Sequence, residues 1–265
     1  TGFLTKERYR YATIYVDQAT GYGYVYLQRT ASAEETLEGK RAFEKHAINK
    51  GVVIKAYHAD NGIFKAKAWV QACNNKNQGL TFAAVGAHHT NGKAERRICE
   101  LQESARTMLI HANRRWPQAV DAKLWPYAVR YANECINAAP NMQHPQRKSP
   151  LQLFSRSSVQ INRKHWKPFG CPVYVLEADL QTGRPWDKWK SRSKIGIYLG
   201  PSPLHNRNVA LVLSRFTGHV SPQFHVAFDK GFYSVAQDNP LESLWQQKCH
   251  FVAEEKKASR KQRQR

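Results

Sequence analysis

The chain has 265 residues, with 41 Lys and Arg against 20 Asp and Glu, for a formal net charge of +21. That length suggests one or two domains, and 42% apolar residues is enough for a core. The charge favours a polyanionic partner, nucleic acid before membrane, and no apolar run approaches the roughly 20 residues a membrane helix needs.

Seven Trp and twelve Tyr interleave with the cations, a mixture that suits base and sugar contacts. Cys73, Cys99, Cys135, Cys171 and Cys249 are scattered, with no CxxC pair. This argues against a zinc module or a disulfide framework and fits a reducing compartment. Thr1 to Glu7 is too polar for a signal peptide.

In chain order, Tyr11–Asp17 and Tyr22–Gln28 read as two strands of an antiparallel hairpin about the turn Gln18-Ala-Thr-Gly21. Ser32 stands three before Glu35, the spacing of a capping box. The helix that follows points Leu37, Phe43, Ala47 and Ile48 inward and stops at Gly51. Val52–Ala59 is an almost unbroken apolar run, the pattern of a strand buried on both faces. A short helix carrying Trp69, Val70 and Cys73 comes next, then a strand over Leu80–Ala84 and a polar loop to Gly92.

A long helix runs from Lys93 to about Ala112. Ile98, Leu101, Ala105, Met108 and Ala112 form its buried stripe, with Glu95, Cys99, Gln102 and Arg106 beside it. Another helix spans about Leu124–Ala138, with Ala128, Ala132, Cys135 and Ile136 inward, and Pro140 ends it. Four short strands follow a connector with one short helix: Cys171–Leu176, Ser193–Leu199, Val209–Leu213 and Phe224–Phe228. Trp166, Trp186 and Trp189 are assigned to packing within that all-β module. The pattern gives an α/β domain over 1–140 with a mixed sheet flanked by helices, a connector over 141–165, a β module over 166–232 and a basic, disordered tail over 233–265.

Asp60 closes the apolar strand and Glu95 falls in the first turn of the long helix. Two-metal phosphoryl transfer uses carboxylates in such places: one held rigidly on a strand end, one favoured as an anion by the helix dipole. Taken singly, Asp60-Asn-Gly62 reads as a turn and Glu95 as a dipole partner.

Three blocks change that balance: Tyr15-Val-Asp-Gln-Ala-Thr-Gly-Tyr22, His58-Ala-Asp-Asn-Gly62 and His89-Thr-Asn-Gly-Lys-Ala-Glu95. Leu124–Ala132, Ser149-Pro150 with Phe154, Phe169-Gly-Cys171 and Ile195–Gly200 continue the series. Over about residues 1–230 the chain resembles the integrase of copia-type retrotransposons, which is similar to retroviral integrases. The resemblance implies a ribonuclease H-like core followed by an SH3-like module. It implies a D,D,E triad that binds Mg²⁺ or Mn²⁺, with Asp60 as second and Glu95 as third acid. It implies joining of element DNA ends to target DNA, a homo-multimer, and a nuclear location, with cytoplasmic element particles as the alternative.

The family's first aspartate lies on a strand upstream of Gly2–Tyr11, so the core is expected to lack its front, and the integrase His/Cys zinc module has no counterpart. Asp17 matches the hairpin turn, where capping is its expected job. Asn91, Lys93, Arg96, Gln102 and Arg106 are the expected DNA contacts. His58 is expected near the site and His88 and His89 in the loop, not in a metal cluster. Two other readings stay open: a catalytically dead element remnant that only binds nucleic acid, and a ribonuclease H-type nuclease.

Overall fold

The computed structural model describes residues 8–84, 91–142, 144–158, 166–206 and 208–235. The first two elements are β1 (Tyr11–Val16) and β2 (Gly23–Gln28), paired antiparallel from Tyr11↔Gln28 to Val16↔Gly23. Asp17 builds the turn between them. Its Oδ2 accepts the Thr20 amide at 2.8 Å and the Thr20 hydroxyl at 2.7 Å, the capping job expected of it.

Helix α1 (Ala33–Ile48) starts where Ser32 Oγ accepts the Glu35 amide. The reciprocal arm goes elsewhere: the Glu35 carboxylate accepts the Arg29 and Thr30 amides and so ties the helix back to β2. Phe43 and Ala47 are buried as expected, but Ile48 is 62% exposed. The inner face takes Lys40 and Glu44 instead.

These two charges form a saturated network. Lys40 Nζ donates to Glu44 Oε1 at 2.6 Å and to Gln78 Oε1 at 2.7 Å. Glu44 also accepts from Lys76 (2.6 Å), Gln78 (2.8 Å) and Tyr57 Oη (3.0 Å). Lys40 Nζ lies 5.1 Å from the Tyr57 ring centroid and 5.9 Å from that of Trp69. Burial pushes the Glu44 carboxyl up, and the hydrogen bonds from Lys40, Lys76 and Gln78 outweigh it and bring it to about 2.

Strand β3 (Ala56–Ala59) pairs parallel with β4 (Gly79–Phe82). The expected strand over Val52–Ala59 is thus halved, and Val53 is 72% exposed. The expected single mixed sheet is two pairs: among the described residues no ladder joins β1–β2 to β3–β4. The physical reason for the shorter strand is one-sided burial. A strand buried on both faces needs a packed layer on each, and here Val52, Ile54 and Tyr57 turn inward while Val53 and Lys55 face out. The pairs share a roof, because α1 packs on β1 and β2 and on α2 (Lys67–Asn74), which carries buried Trp69 and Cys73. The rings of Tyr15 on β1 and Tyr57 on β3 approach to 6.5 Å across the seam.

Helix α3 (Gly92–Arg115) and helix α4 (Trp125–Ala138) pack against each other. Leu101, Ala105 and Ala112 are buried on α3, and Ala128 and Ala132 on α4. Ile98, expected in the stripe, is 38% exposed. Cys135 and Ile136 are half-buried, while Asn133 and Asn137 take the inner positions. Both asparagines donate to the Gly23 carbonyl, at 2.9 and 2.7 Å, and the Gly23 amide donates to Asn137 Oδ1 at 2.8 Å. A Cβ on Gly23 would run into Asn133, so only glycine admits this clasp. The short α5 (Pro150–Ser155) opens with a full capping box between Ser149 and Gln152 and stacks Phe154 on Tyr22 at 4.4 Å.

Strands β5 (Pro172–Leu176), β6 (Ser193–Pro201), β7 (Ala210–Ser214), β8 (Val220–Gln223) and β9 (Val226–Phe228) form an antiparallel sheet of order β8-β7-β6-β5-β9. The expected strand over Phe224–Phe228 is shorter than read, and β8 precedes it. A four-residue helix, α6 (Ala178–Gln181), follows β5. This sheet does not stand apart from the helices. Phe169, Val173, Ile197 and Leu213 share one buried cluster with Leu101, Ala112, Val120 and Tyr131. Gly170, at φ +75°, brings the chain so close to α3 that a Cβ there would sit 2.6 Å from that of Ala112. Among the described residues no helix is long and apolar enough to cross a membrane. His88, His89, Cys249, residues 159–165 of the connector and the tail beyond residue 235 lie outside the described residues.

Candidate active site

Asp60 directly follows β3 and is exposed. Its Oδ1 accepts the Asn61 amide at 2.7 Å, and Asn61 Nδ2 donates to the Ala83 carbonyl just past β4. The two parallel strand ends are therefore tied together at the Asp60 position, and the carboxylate is held on a rigid edge. His58 also spans the pair, its Nδ1 lying 2.9 Å from Thr81 Oγ1.

Glu95 lies in the first turn of α3, exposed, and is the acidic residue of that turn. Asn91 precedes the helix without a side-chain cap bond, half-buried. Down one face of α3, Glu95, Cys99, Gln102 and Arg106 are all exposed, as the stripe spacing requires. Arg96 is exposed beside them, with Nε 3.5 Å from Glu100. Lys93 Nζ donates to the Gln18 carbonyl in the hairpin turn.

Arg97 was not anticipated. It is buried, its Nη2 donates to the Gly21 carbonyl at 2.8 Å, and its Nε lies 3.4 Å from Glu100. Burial lowers its pKa. The signal was present, since one step of four back from Leu101 lands on Arg97 and not on Ile98. Lys93 and Arg97 together fix the start of α3 against the β1–β2 turn. A cleft of about 420 Å³ opens there, lined by Thr20, Gly21, Lys93, Arg96, Arg97 and Glu100 among others.

Hard oxygen donors suit Mg²⁺ or Mn²⁺, which keep several waters and take few protein carboxylates. Asp60 and Glu95 are donors of that kind, and water reaches both. Among the described residues, however, no group of three His, Cys, Asp or Glu side chains is placed to hold an ion. Among the described residues neither Asp60 nor Glu95 belongs to a three-acid site.

No protein-family model matches the chain. It is 28% identical over 234 residues to the retrovirus-related Pol polyprotein from transposon RE1 of Arabidopsis thaliana, a match covering 87% of this chain. It is 26% identical over 242 residues to the corresponding polyprotein from transposon RE2, covering 89%. Both relatives are retrovirus-related Pol polyproteins of transposons, and the likeness runs over most of this chain. It spans 14% and 15% of the length of these two relatives. Among solved structures, a chain of the simian T-cell lymphotropic virus intasome in complex with PP2A regulatory subunit B56 gamma aligns at 18% identity. That alignment has a TM-score of 0.46 and covers 84% of this chain and 72% of the other. The HTLV-2 integrase catalytic core in complex with magnesium aligns at 18% identity with a TM-score of 0.40, covering 58% of this chain and 99% of the other.

Proposed function

We propose that this retrotransposon homologue is the integrase-type segment of its polyprotein, joining element DNA ends to target DNA by metal-dependent phosphoryl transfer. The observation that carries the reading is the placement of Asp60 and Glu95. In a chain homologous to transposon Pol polyproteins over most of its length, both acids stand exposed, one at a tied strand end and one at a helix start.

In this reading the two carboxylates hold Mg²⁺ or Mn²⁺. Such ions, when bound, activate the attacking hydroxyl and stabilise the leaving oxygen. Asn61 keeps Asp60 aimed by bracing the strand ends. Asn91, Arg96, Gln102 and Arg106 lie on or beside the face of α3 that carries Glu95, where they meet phosphates and position the strand, while Lys93, turned towards the Gln18 carbonyl, reaches phosphates only from the hairpin side. The first acid of the triad comes, in this reading, from a further strand of the polyprotein. The seam between β1 and β3, roofed by α1 and crossed by Tyr15 and Tyr57, is where that strand pairs, which completes a ribonuclease H-like sheet. The five-stranded sheet is the SH3-like module of this arrangement. Two joined DNA ends call for a homo-multimer, and the DNA target places the protein in the nucleus, or in cytoplasmic element particles before entry.

The test is a longer polypeptide that includes the segment preceding Thr1, assayed for Mg²⁺- or Mn²⁺-dependent strand transfer. Glu95→Gln abolishes transfer and leaves DNA affinity within about twofold. Unchanged transfer in that variant removes Glu95 from the mechanism. Salt-steep, sequence-independent binding with no metal-dependent nicking identifies a binding-only remnant. Preferred cleavage of RNA–DNA hybrids identifies a ribonuclease H-type nuclease.

A further inference from the structure

The segment between α6 and β6 carries Arg184, Trp186, Asp187, Lys188, Trp189, Lys190 and Arg192, and its Trp189 is not buried as a packing residue would be. Trp166 is half-buried and lies 5.7 Å from Tyr131, inside the shared core. Trp189 is 63% exposed.

The loop that presents it is ordered by its own bonds. The Trp189 amide donates to Asp187 Oδ1 at 3.0 Å, and Trp186 Nε1 donates to the Lys190 carbonyl at 3.3 Å. Lys190 Nζ sits 4.6 Å from the Trp186 ring centroid. The base of the loop is pinned by the Glu177 amide on the Arg192 carbonyl at 3.0 Å. The local acids are committed: Asp179 to Arg184 at 3.0 Å, Glu177 to Lys194 at 2.7 Å, and Asp187 to the Trp189 amide. Lys188, Lys190 and Arg192 are then the cations of the segment that lack a carboxylate from within it.

We infer that this loop is a binding platform for single-stranded nucleic acid, with Trp189 stacking on an unpaired base and Lys188, Lys190 and Arg192 meeting the flanking phosphates. The charge calls for a polyanion. The exposed indole narrows the choice, because bases inside a duplex offer no face to stack on, whereas any unpaired base does. The platform lies on the β sheet's loop, far along the chain from Asp60 and Glu95, and does not depend on the proposed chemistry of those acids.

The experiment measures binding of the full chain to a fluorescent dT12 oligonucleotide and to a 12-base-pair duplex at fixed salt. Trp189→Ala is expected to weaken dT12 about tenfold and the duplex less than twofold, with Trp189→Phe recovering most of the loss, since a phenyl ring still stacks. Lys188→Glu is expected to weaken both ligands and to flatten the salt dependence. An unchanged dT12 affinity in Trp189→Ala, or an equal loss for dT12 and duplex, overturns the proposal. A poly-glutamate peptide that loses as much as dT12 in Trp189→Ala also overturns it, assigning the loop to acidic protein.

Discussion

Glu44 and Glu95 are carboxylates on two helices of the same chain, held in opposite ways. Glu44 faces inward and accepts from Lys40, Lys76, Gln78 and Tyr57. Glu95 stands at a helix start in water. A buried charge survives only with partners, and the four hydrogen bonds Glu44 accepts fix it in place. An exposed acid near a rigid frame keeps its capacity for a ligand. The contrast separates a carboxylate spent on holding the fold from one left open to a ligand.

Breaking the satisfied side has the largest effect. Glu44→Ala leaves Lys40 buried and unpaired and is expected to cost about 3–5 kcal/mol, read as a loss of unfolding free energy in urea. The paired change Lys40→Met with Glu44→Leu is expected to recover most of it, because apolar replacements need no partners. Gly170→Ala follows. Its positive φ and the 2.6 Å approach to Ala112 predict a loss of roughly 2–3 kcal/mol in the same assay. A loss near zero would mean that the β sheet and α3 are not locked together.

Acid titration sharpens the contrast next. The folded Glu44 pKa, about 2, lies below the ordinary 4.5. A lowered pKa means that the stabilisation is complete above about pH 4.5 and is lost as pH falls towards 2. His46 acts in a higher window. Burial, with Lys50 nearby, lowers its pKa from 6.5 to about 4, so the neutral ring stabilises the fold above 6.5 and that contribution fades as pH drops to 4. His46→Gln is expected to flatten the stability curve between those two pH values by roughly 2 kcal/mol, and Glu44→Gln to flatten it below 4.5. The smallest effects belong to the open acids. Asp60→Asn and Glu95→Gln are expected to change unfolding free energy by no more than about 0.5 kcal/mol.

Much of this was legible before any coordinates. The hairpin, the helices and the exposed stripe Glu95, Cys99, Gln102 and Arg106 follow from period and turn chemistry, because local spacing decides them. Asp17 was readable as a turn cap for the same reason. What period could not show was the partner of each polar residue. Lys40, Glu44, Arg97, Asn133 and Asn137 sit on inner faces, each with at least one hydrogen bond to a residue distant in sequence, and an apolar pattern has no symbol for that. Val52–Ile54 read as buried strand because all three are apolar, while the structure turns Val52 and Ile54 inward and leaves Val53 in water. Trp189 failed in the opposite direction: apolar character predicted burial, and the loop's own hydrogen bonds hold it in water.

The most direct test of the account is strand transfer by a longer piece of the polyprotein that adds the segment before Thr1, in Mn²⁺ and Mg²⁺, with Glu95→Gln and Asp60→Asn beside the parent. The account predicts that both variants fold with unchanged stability and bind DNA, and that neither joins ends at a measurable rate. Strand transfer at the parent rate in either variant would contradict it.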